Sequence, residues 1–579
     1  MMPVEFAPFS TYRPPVLGTR CMVASGHYLA SAAAARMLDR GGNVVDAGVA
    51  AGLCINVVQP DMTNLGGVAP IILHQARTGE TVTISGLGWW PRAATIEDLR
   101  RREATTFRGI LTSVMPAALD AWVEALDRYG TMAFADVAAP AIELAERGVP
   151  VNRHLAANIV EHAPQIAAWP SSREIFLGRG RPPRVGERLV QADLARTLHR
   201  LVDAERGAPG RHEGLERVRD LFYRGDVARA MAAFSQAQGG FVTTADLAGF
   251  RVRREPAYST TYRGHEVYAC GPWCQGPVVL EALNVLEGYD IASMPRNSAP
   301  VLHLVVEALK AAFADRHAYY GDPEFVRVPM KGLLSKAYAA DWRARIDADA
   351  AAPGLPEAGD AWRHEAGGIE AGRAPHPVPV RGPAPPDTSY VCVMDADGNA
   401  FSATPSDPVF GAPVVPGLGL IISPRGSQSW DDVRHPSCLA PGKRPRLTPN
   451  PGLVLRDGHV VMAYGTPGLD VQPQAMVQFL LNVLDYGLDV QQAIEAPRLA
   501  TYSFPLSSHP HAYEPGKLCV EGRVPADAVH GLARRGHRVT GWPEWTPQAG
   551  SVCGIVRDPA EGVLAGGADP RRLSYAIGW

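Results

Sequence analysis

The residues with the clearest chemical potential lie in Pro385-Pro386-Asp387-Thr388-Ser389-Tyr390, where a Pro/Gly/Ala-rich tract stops and a β-type run begins. Were the Asp387–Thr388 bond cut, Thr388 would carry a hydroxyl and a free α-amine side by side. An unperturbed α-amine, with a pKa of about 7.7–8.0, accepts a proton near neutrality, so one residue can supply both nucleophile and base. Before the cut, the same hydroxyl would attack the Asp387 carbonyl and turn the amide into an ester that water opens. The plain alternative is that a β-branched residue simply opens a strand, as strand propensity favours.

The elements around Thr388 decide what it can do. After it, Tyr390 to Met394, the turn Asp395-Ala396-Asp397-Gly398-Asn399, and Ala400 to Thr404 read as a hairpin. Leu453 to Arg456 and His459 to Met462 flank Asp457-Gly458, the strongest short-range hairpin signal in the chain. The turn Gly465-Thr466-Pro467-Gly468 leads into a helix expected from about Gln472 to Tyr486. Nearer the start, a buried helix is expected over Val44 to Val58, and a strand pair over Ala69 to His74 and Thr81 to Ser85. Met115 to Asp347 is mainly helical, with Leu302, Val305, Val306, Leu309, Ala312 and Phe313 at amphipathic spacing. Residues 350–386 lack periodicity and read as a loose linker before the cleavage site. Helix, glycine bend and strands, then helices, then hairpins and a helix fit an α+β domain assembled from both ends of the chain.

Composition narrows the function classes. A chain of 579 residues exceeds one growing core, and 56 basic against 59 acidic residues give a net charge of −3. Neither a nucleic-acid partner nor a polybasic membrane contact is expected. Met1 to Arg20 lacks the cationic start and apolar stretch of an export signal, so a cytoplasmic location is expected. Val44 to Val58 is too short to span a bilayer. The eight cysteines lack zinc-site spacing; Cys270 and Cys274 resemble half a site without a second pair, so no metal is expected.

From Met22 through Trp579 the chain resembles the γ-glutamyltransferase family of N-terminal-nucleophile (Ntn) hydrolases. The resemblance rests on Gly41-Gly42-Asn43-Val44-Val45-Asp46-Ala47, Leu65-Gly66-Gly67, Tyr223-Arg224-Gly225, Gly239-Gly240, Thr388 with its hairpin, Gly442-Lys443-Arg444-Pro445, Gly465-Thr466-Pro467-Gly468 and Gly566-Gly567-Ala568-Asp569-Pro570-Arg571-Arg572, in that order. It implies a four-layer αββα sandwich, made as an inactive precursor that cleaves itself at Asp387–Thr388. The large piece would be residues 1–387 and the small piece 388–579, the two staying associated; assembly of several copies is left open. No cofactor is implied. Gly468 and Leu469 would offer backbone N–H groups to the oxyanion, Leu469 replacing a family glycine. Thr404 and Ser406 could hydrogen-bond the Thr388 hydroxyl or amine, Ser406 standing at the family's second catalytic threonine; capping a strand end is Ser406's equal alternative.

The departures concern substrate. Leu87 falls where family transferases carry the arginine that grips the glutamyl α-carboxylate, and leucine cannot make that contact. Pro408 replaces an asparagine ligand of the amino group, and Leu447-Thr448 replace paired serines. Arg425, in Ser423-Pro424-Arg425-Gly426-Ser427-Gln428, could supply a carboxylate grip from the opposite wall, or be a surface arginine. Asp470 is either a substrate contact or the N-cap of the following helix, and Trp89 with Trp90 either an acyl-group wall or core. Arg425-Gly426-Ser427 and Asp470-Val471-Gln472-Pro473-Gln474 are similar to the family's non-glutamyl branch of acylases and amide hydrolases, oxamate amidohydrolase among them. The expected activity is therefore self-processing hydrolysis of a small, non-γ-glutamyl amide. A γ-glutamyl hydrolase or transferase with a rebuilt pocket, and an unprocessed relative that only binds, are the alternatives.

Overall fold

The strand at the centre of the molecule is apolar on both faces, as a strand covered from both sides must be. In Val391–Asp395, Cys392 and Met394 point one way and Val391 and Val393 the other, and all four are buried. The same division holds for Met22 and Ala24 against Val23 in Cys21–Ser25, and for Ile72 against Ile71 and Leu73 in Ile71–Gln75. In this computed structural model, which describes residues 11–102, 109–365, 374–380 and 388–579, these strands belong to one of two seven-stranded sheets.

The first sheet runs Tyr575–Gly578, Cys21–Ser25, Val391–Asp395, Ala400–Ala403, Ile71–Gln75, Glu80–Ile84, Arg254–Pro256. The second runs Val16–Gly18, Leu564–Ala568, Cys553–Arg557, His459–Gly465, Gly452–Arg456, His265–Ala269, Tyr258–Tyr262. Met22, Ile72, Tyr390, Cys392 and Met394 meet Leu453, Leu455, Ala463 and Ile555 between the sheets. On its outer face the first sheet packs against Tyr28–Asp39, Val44–Val58 and Ala118–Tyr129, with Phe134–Arg147 behind the Val44–Val58 helix. The second is covered by Gly276–Leu286, Gln472–Leu484 and Val490–Glu495, with Ala299–Tyr319 packed behind Gly276–Leu286. This is the αββα sandwich, and both chain ends contribute to it.

Local sequence explains several of these elements. Asn43 caps the Val44–Val58 helix by accepting from Val45 N at 2.9 Å and Asp46 N at 3.1 Å, while Asp46 accepts from Asn43 N. A reciprocal cap of this kind is worth about 1 kcal/mol and fixes where the helix begins. Asp457 and Gly458 take φ of 52° and 77°, the left-handed pair that a two-residue hairpin needs.

Two expectations are corrected. The Ala299–Tyr319 helix is buried on nearly all sides rather than amphipathic, because its polar groups find partners inside: Lys310 pairs with Glu307, and Asp315 accepts from Tyr338 and Trp342. The described part of the 350–387 tract is not loose. Ala351 N donates to Arg535 O, Leu355 N to the Tyr513 hydroxyl and Gly359 N to Asp315, so its backbone groups are tied to the helical layer. Among the described residues, no helix is long and apolar enough to cross a membrane.

Candidate active site

Thr388 enters the first sheet just ahead of Val391–Asp395 and is 1% exposed. It forms an isolated antiparallel bridge with Ser406, and the two hydroxyl oxygens lie 3.0 Å apart. Strand alternation sends Ser389 to the other face, where its hydroxyl donates to Gln59 Oε1 at 2.6 Å. Ser389 N donates to Pro405 O and Ser406 N to Val68 O, so the segment carrying Ser406 is held between Thr388 and the Leu65-Gly66-Gly67 bend. A Cβ on Gly67 would stand 2.3 Å from Ser406 O, which is why glycine is required there.

Asp407, next to Ser406, has φ of 84°, an uncommon backbone for a non-glycine residue. Its carboxylate is what holds it: Ser423 Oγ donates to Oδ2 at 2.5 Å and Arg425 Nε to Oδ1 at 2.6 Å. Arg425 also donates through Nη2 to Ser406 Oγ at 2.5 Å and is only 5% exposed. It is therefore no surface arginine, but a buried ion-paired one that touches the hydroxyl bonded to Thr388. Thr448 lies beside it, its hydroxyl accepting from Gln428 Nε2 at 3.0 Å.

The other flank is the turn after His459–Gly465. Gly468 and Leu469 both have positive φ, 128° and 52°. Leucine pays about 1–2 kcal/mol for that backbone, and such strain persists only where the surroundings over-determine it. They do: Gln275 Nε2 donates to Leu469 O at 2.7 Å, Arg316 donates to Gln275 Oε1 at 2.8 Å, and Arg316 also pairs with Asp470. Asp470 accepts from Ser507 N and Oγ as well. It does not cap the Gln472–Leu484 helix, whose first turn has no side-chain cap. Gln472 reaches Thr388 Oγ1 with Nε2 at 3.5 Å, placing the helix start beside the nucleophile candidate.

Several expected residues lie elsewhere. Thr404 does not bond Thr388; its Oγ1 is buried with no partner among the described residues, because its backbone is fixed by donation to Pro70 O. Trp89 is half-buried against Phe250, with ring centroids 4.7 Å apart, on the helical side of the first sheet. Trp90 instead backs the Arg425 turn, its Nε1 donating to Ser429 Oγ at 2.8 Å. Leu87 is buried with Leu447, Val68, Cys270, Trp273 and Cys274. Asp387 lies outside the described residues. Sequence reasoning did not single out Asp407, Gln472, Gln275 or Arg316 as site residues. Only Gln472, inside a quoted motif, had a local signal; Gln275 and Arg316 act through partners 41 to 194 residues away, and Asp407 through an unusual φ.

These contacts assign unequal weights to the two hydroxyls. Thr404→Val is expected to leave self-cleavage intact and shift stability by no more than about 1 kcal/mol, since no hydrogen bond is lost. Ser406→Ala removes the group between Arg425 and Thr388, and cleavage should slow by roughly 10–100-fold. A gel time course with thermal melts checks both.

A sandwich of two sheets between two helical layers, with a buried threonine opening a central strand, defines the Ntn hydrolase fold. Residues 30–579 match the family described as gamma-glutamyltranspeptidase. The chain is 35% identical to the "glutathione hydrolase-like YwrD proenzyme" of Bacillus subtilis (strain 168), over 97% of this chain and 99% of that one. It is also 35% identical to the "acylase ACY 1 proenzyme" of Pseudomonas sp. (strain SE83), over 97% and 94%. The crystal structure of cephalosporin acylase from Bacillus halodurans superimposes with a TM-score of 0.85 at 29% identity, covering 100% of this chain and 99% of that one. The chain belongs to the gamma-glutamyltranspeptidase family and is an Ntn amidohydrolase.

Proposed function

We propose that this enzyme cleaves itself between Asp387 and Thr388 and then hydrolyses a small amide whose acyl part is not γ-glutamyl, through an acyl-enzyme on Thr388. In the precursor the Thr388 nitrogen is an amide and cannot serve as a base; the cut frees it. The Thr388 hydroxyl attacks the substrate carbonyl while the α-amine takes its proton. Gly468 and Leu469 N–H groups, at the turn before the Gln472 helix, receive the oxyanion. Ser406 and Gln472 orient the hydroxyl. The amine then returns its proton to the leaving nitrogen, and water, activated by the same amine, releases the acid.

The observation that carries the substrate reading is one apolar cluster. Leu87 and Leu447, at the positions where the resemblance expects a carboxylate-binding arginine and a serine, pack together with Val68, whose carbonyl accepts from Ser406 N. A glutamyl group's α-carboxylate and ammonium would meet hydrocarbon there, at about 1–3 kcal/mol or more per lost contact. Arg425 is engaged by Asp407 and Ser406, so its part is to position the Ser406 hydroxyl. A relative named as an acylase supports the same reading.

A panel of amides on processed enzyme tests this. Amides of acids without an α-amino group should be turned over with kcat/KM at least about 100-fold above a γ-glutamyl anilide, the equivalent of about 2.7 kcal/mol. Preference for the γ-glutamyl compound would sink the proposal. Because the base must be unprotonated, kcat/KM should rise about tenfold per pH unit below the amine pKa and level off above it. With an unperturbed amine that plateau starts near about pH 8.

A further inference from the structure

Beyond the Thr388 hydroxyl, the loop residues Trp430, His435 and Arg446 set a group of buried donors against the Ala299–Tyr319 helix. Arg446 is 1% exposed, and its Nη1 donates to Arg316 O at 2.9 Å. Its Nε and Nη2 have no partner among the described residues. Asp470, the acid whose charge favours the Arg446 guanidinium, is already taken by Arg316 and Ser507. Burial and the neighbouring Arg316 both work against the charge on Arg446, yet a guanidinium does not lose its proton in a protein. A buried charge left this way is strongly disfavoured unless a counter-charge arrives.

The surroundings offer more donors, gathered about Ser437, whose Oγ accepts from Arg446 N at 2.9 Å and whose carbonyl accepts from Trp430 N at 3.0 Å. His435 accepts from Ser437 N at Nδ1, at 2.9 Å, so its hydrogen is on Nε2, and that atom is buried with no partner among the described residues. Trp430 Nε1, a donor only, is likewise buried without a partner among the described residues. Trp430 stacks between His435, at a centroid distance of 4.2 Å, and His511, at 3.7 Å, and His317 meets both Trp430 and His435 edge-on. Burial, with Arg446 close by, keeps the three imidazoles neutral: His317 and His511 are lowered to about 3 and His435 well below its ordinary value. None of them adds charge, and none removes the positive charge of Arg446.

We propose that Arg446, with the Nε2–H of His435 and the Nε1–H of Trp430, forms a buried binding site for a small monovalent anion, a halide or a short carboxylate. Guanidinium, imidazole and indole N–H groups are the donor types that such an anion takes in place of water. The site adjoins the Arg316 network behind the Leu469 turn, but among the described residues none of its three donor groups bonds Thr388, and bromide binding is read without the proposed activity.

Bromide is the probe. Thermal melts are run while bromide replaces gluconate at constant ionic strength, which holds screening fixed. The wild type should gain about 2–4 °C and saturate. Arg446→Met should show no bromide response and melt in gluconate at or above the wild type. A bromide shift absent from the wild type, or equal in Arg446→Met, overturns the site, as does a variant less stable than wild type in gluconate. Anomalous diffraction from bromide-soaked wild-type crystals gives a reading that does not depend on the variant folding. A peak at Arg446, His435 and Trp430 supports the site, and its absence there overturns it. Acetate in place of bromide separates the sources: the same saturable shift identifies a carboxylate, and no shift identifies a halide.

Discussion

Thr388→Ala should give a single chain of about 62 kDa where the wild type gives two. The smaller wild-type fragment should hold the 192 residues from 388 to 579 and begin Thr-Ser-Tyr-Val. Amidase activity should fall by on the order of 10⁴-fold or more, the scale seen when a nucleophile is removed from a catalytic unit. The fold should survive, because Thr388 contributes one hydroxyl contact with Ser406 and a long one with Gln472. An unchanged melting temperature together with a single band separates a missing nucleophile from a misfolded chain. Two bands from Thr388→Ala, or full activity in one band, would end the proposal. Thr388→Ser, which keeps a hydroxyl and a free amine, should still cleave.

Arg425→Leu carries the second large effect. It leaves Asp407 buried with Ser423 as its remaining side-chain donor, and breaking a buried pair in this way costs about 3–5 kcal/mol. It also takes the donor off Ser406, so self-cleavage should slow as well. The double variant Arg425→Leu/Asp407→Asn removes the stranded charge and should recover much of the stability. It should not recover cleavage, because Ser406 still lacks its donor. If stability and cleavage return together, Arg425 is a structural residue and its positioning role is wrong. Denaturant melts and a cleavage time course on the three variants form the required cycle.

The sequence made hairpins and helix starts legible because their causes are local. Asp457-Gly458 can hardly be anything but a tight turn, and the Asn43 to Asp46 cap is written in four adjacent residues. The assembly from both ends also followed from element order, and Tyr575–Gly578 lies beside Cys21–Ser25. What local reading lacked was burial by distant partners. The spacing of Leu302 to Phe313 indicates one apolar face, but only the fold shows that Asp315 and Arg316 are covered too. Arg425 could be read as exposed or as a carboxylate grip until Asp407 was seen to hold it. Asp407 itself gave no signal, because its importance lies in a left-handed backbone that a one-residue reading expects of glycine. The sequence offers both Thr404 and Ser406 to the Thr388 hydroxyl; a two-residue difference in where the segment crosses Val68 and Pro70 separates them.

The interleaving of the first sheet bears on how this enzyme ages. Cys21–Ser25, from the first part of the chain, lies hydrogen-bonded between Val391–Asp395 and Tyr575–Gly578, both from the last part. While the chain is whole, those strands find one another within a single polymer, and unfolding is a process the molecule can undo alone. Scission before Thr388 would remove that connection after it has served. A processed molecule that melts would release two polypeptides that must meet again in solution, each with exposed strand edges prone to pairing wrongly. Its lifetime would then be governed by how slowly it opens rather than by how favourably it closes. Activation would thus be a one-way step in folding as well as in chemistry, and refolding yield should fall with dilution for the cut form while staying constant for uncut Thr388→Ala.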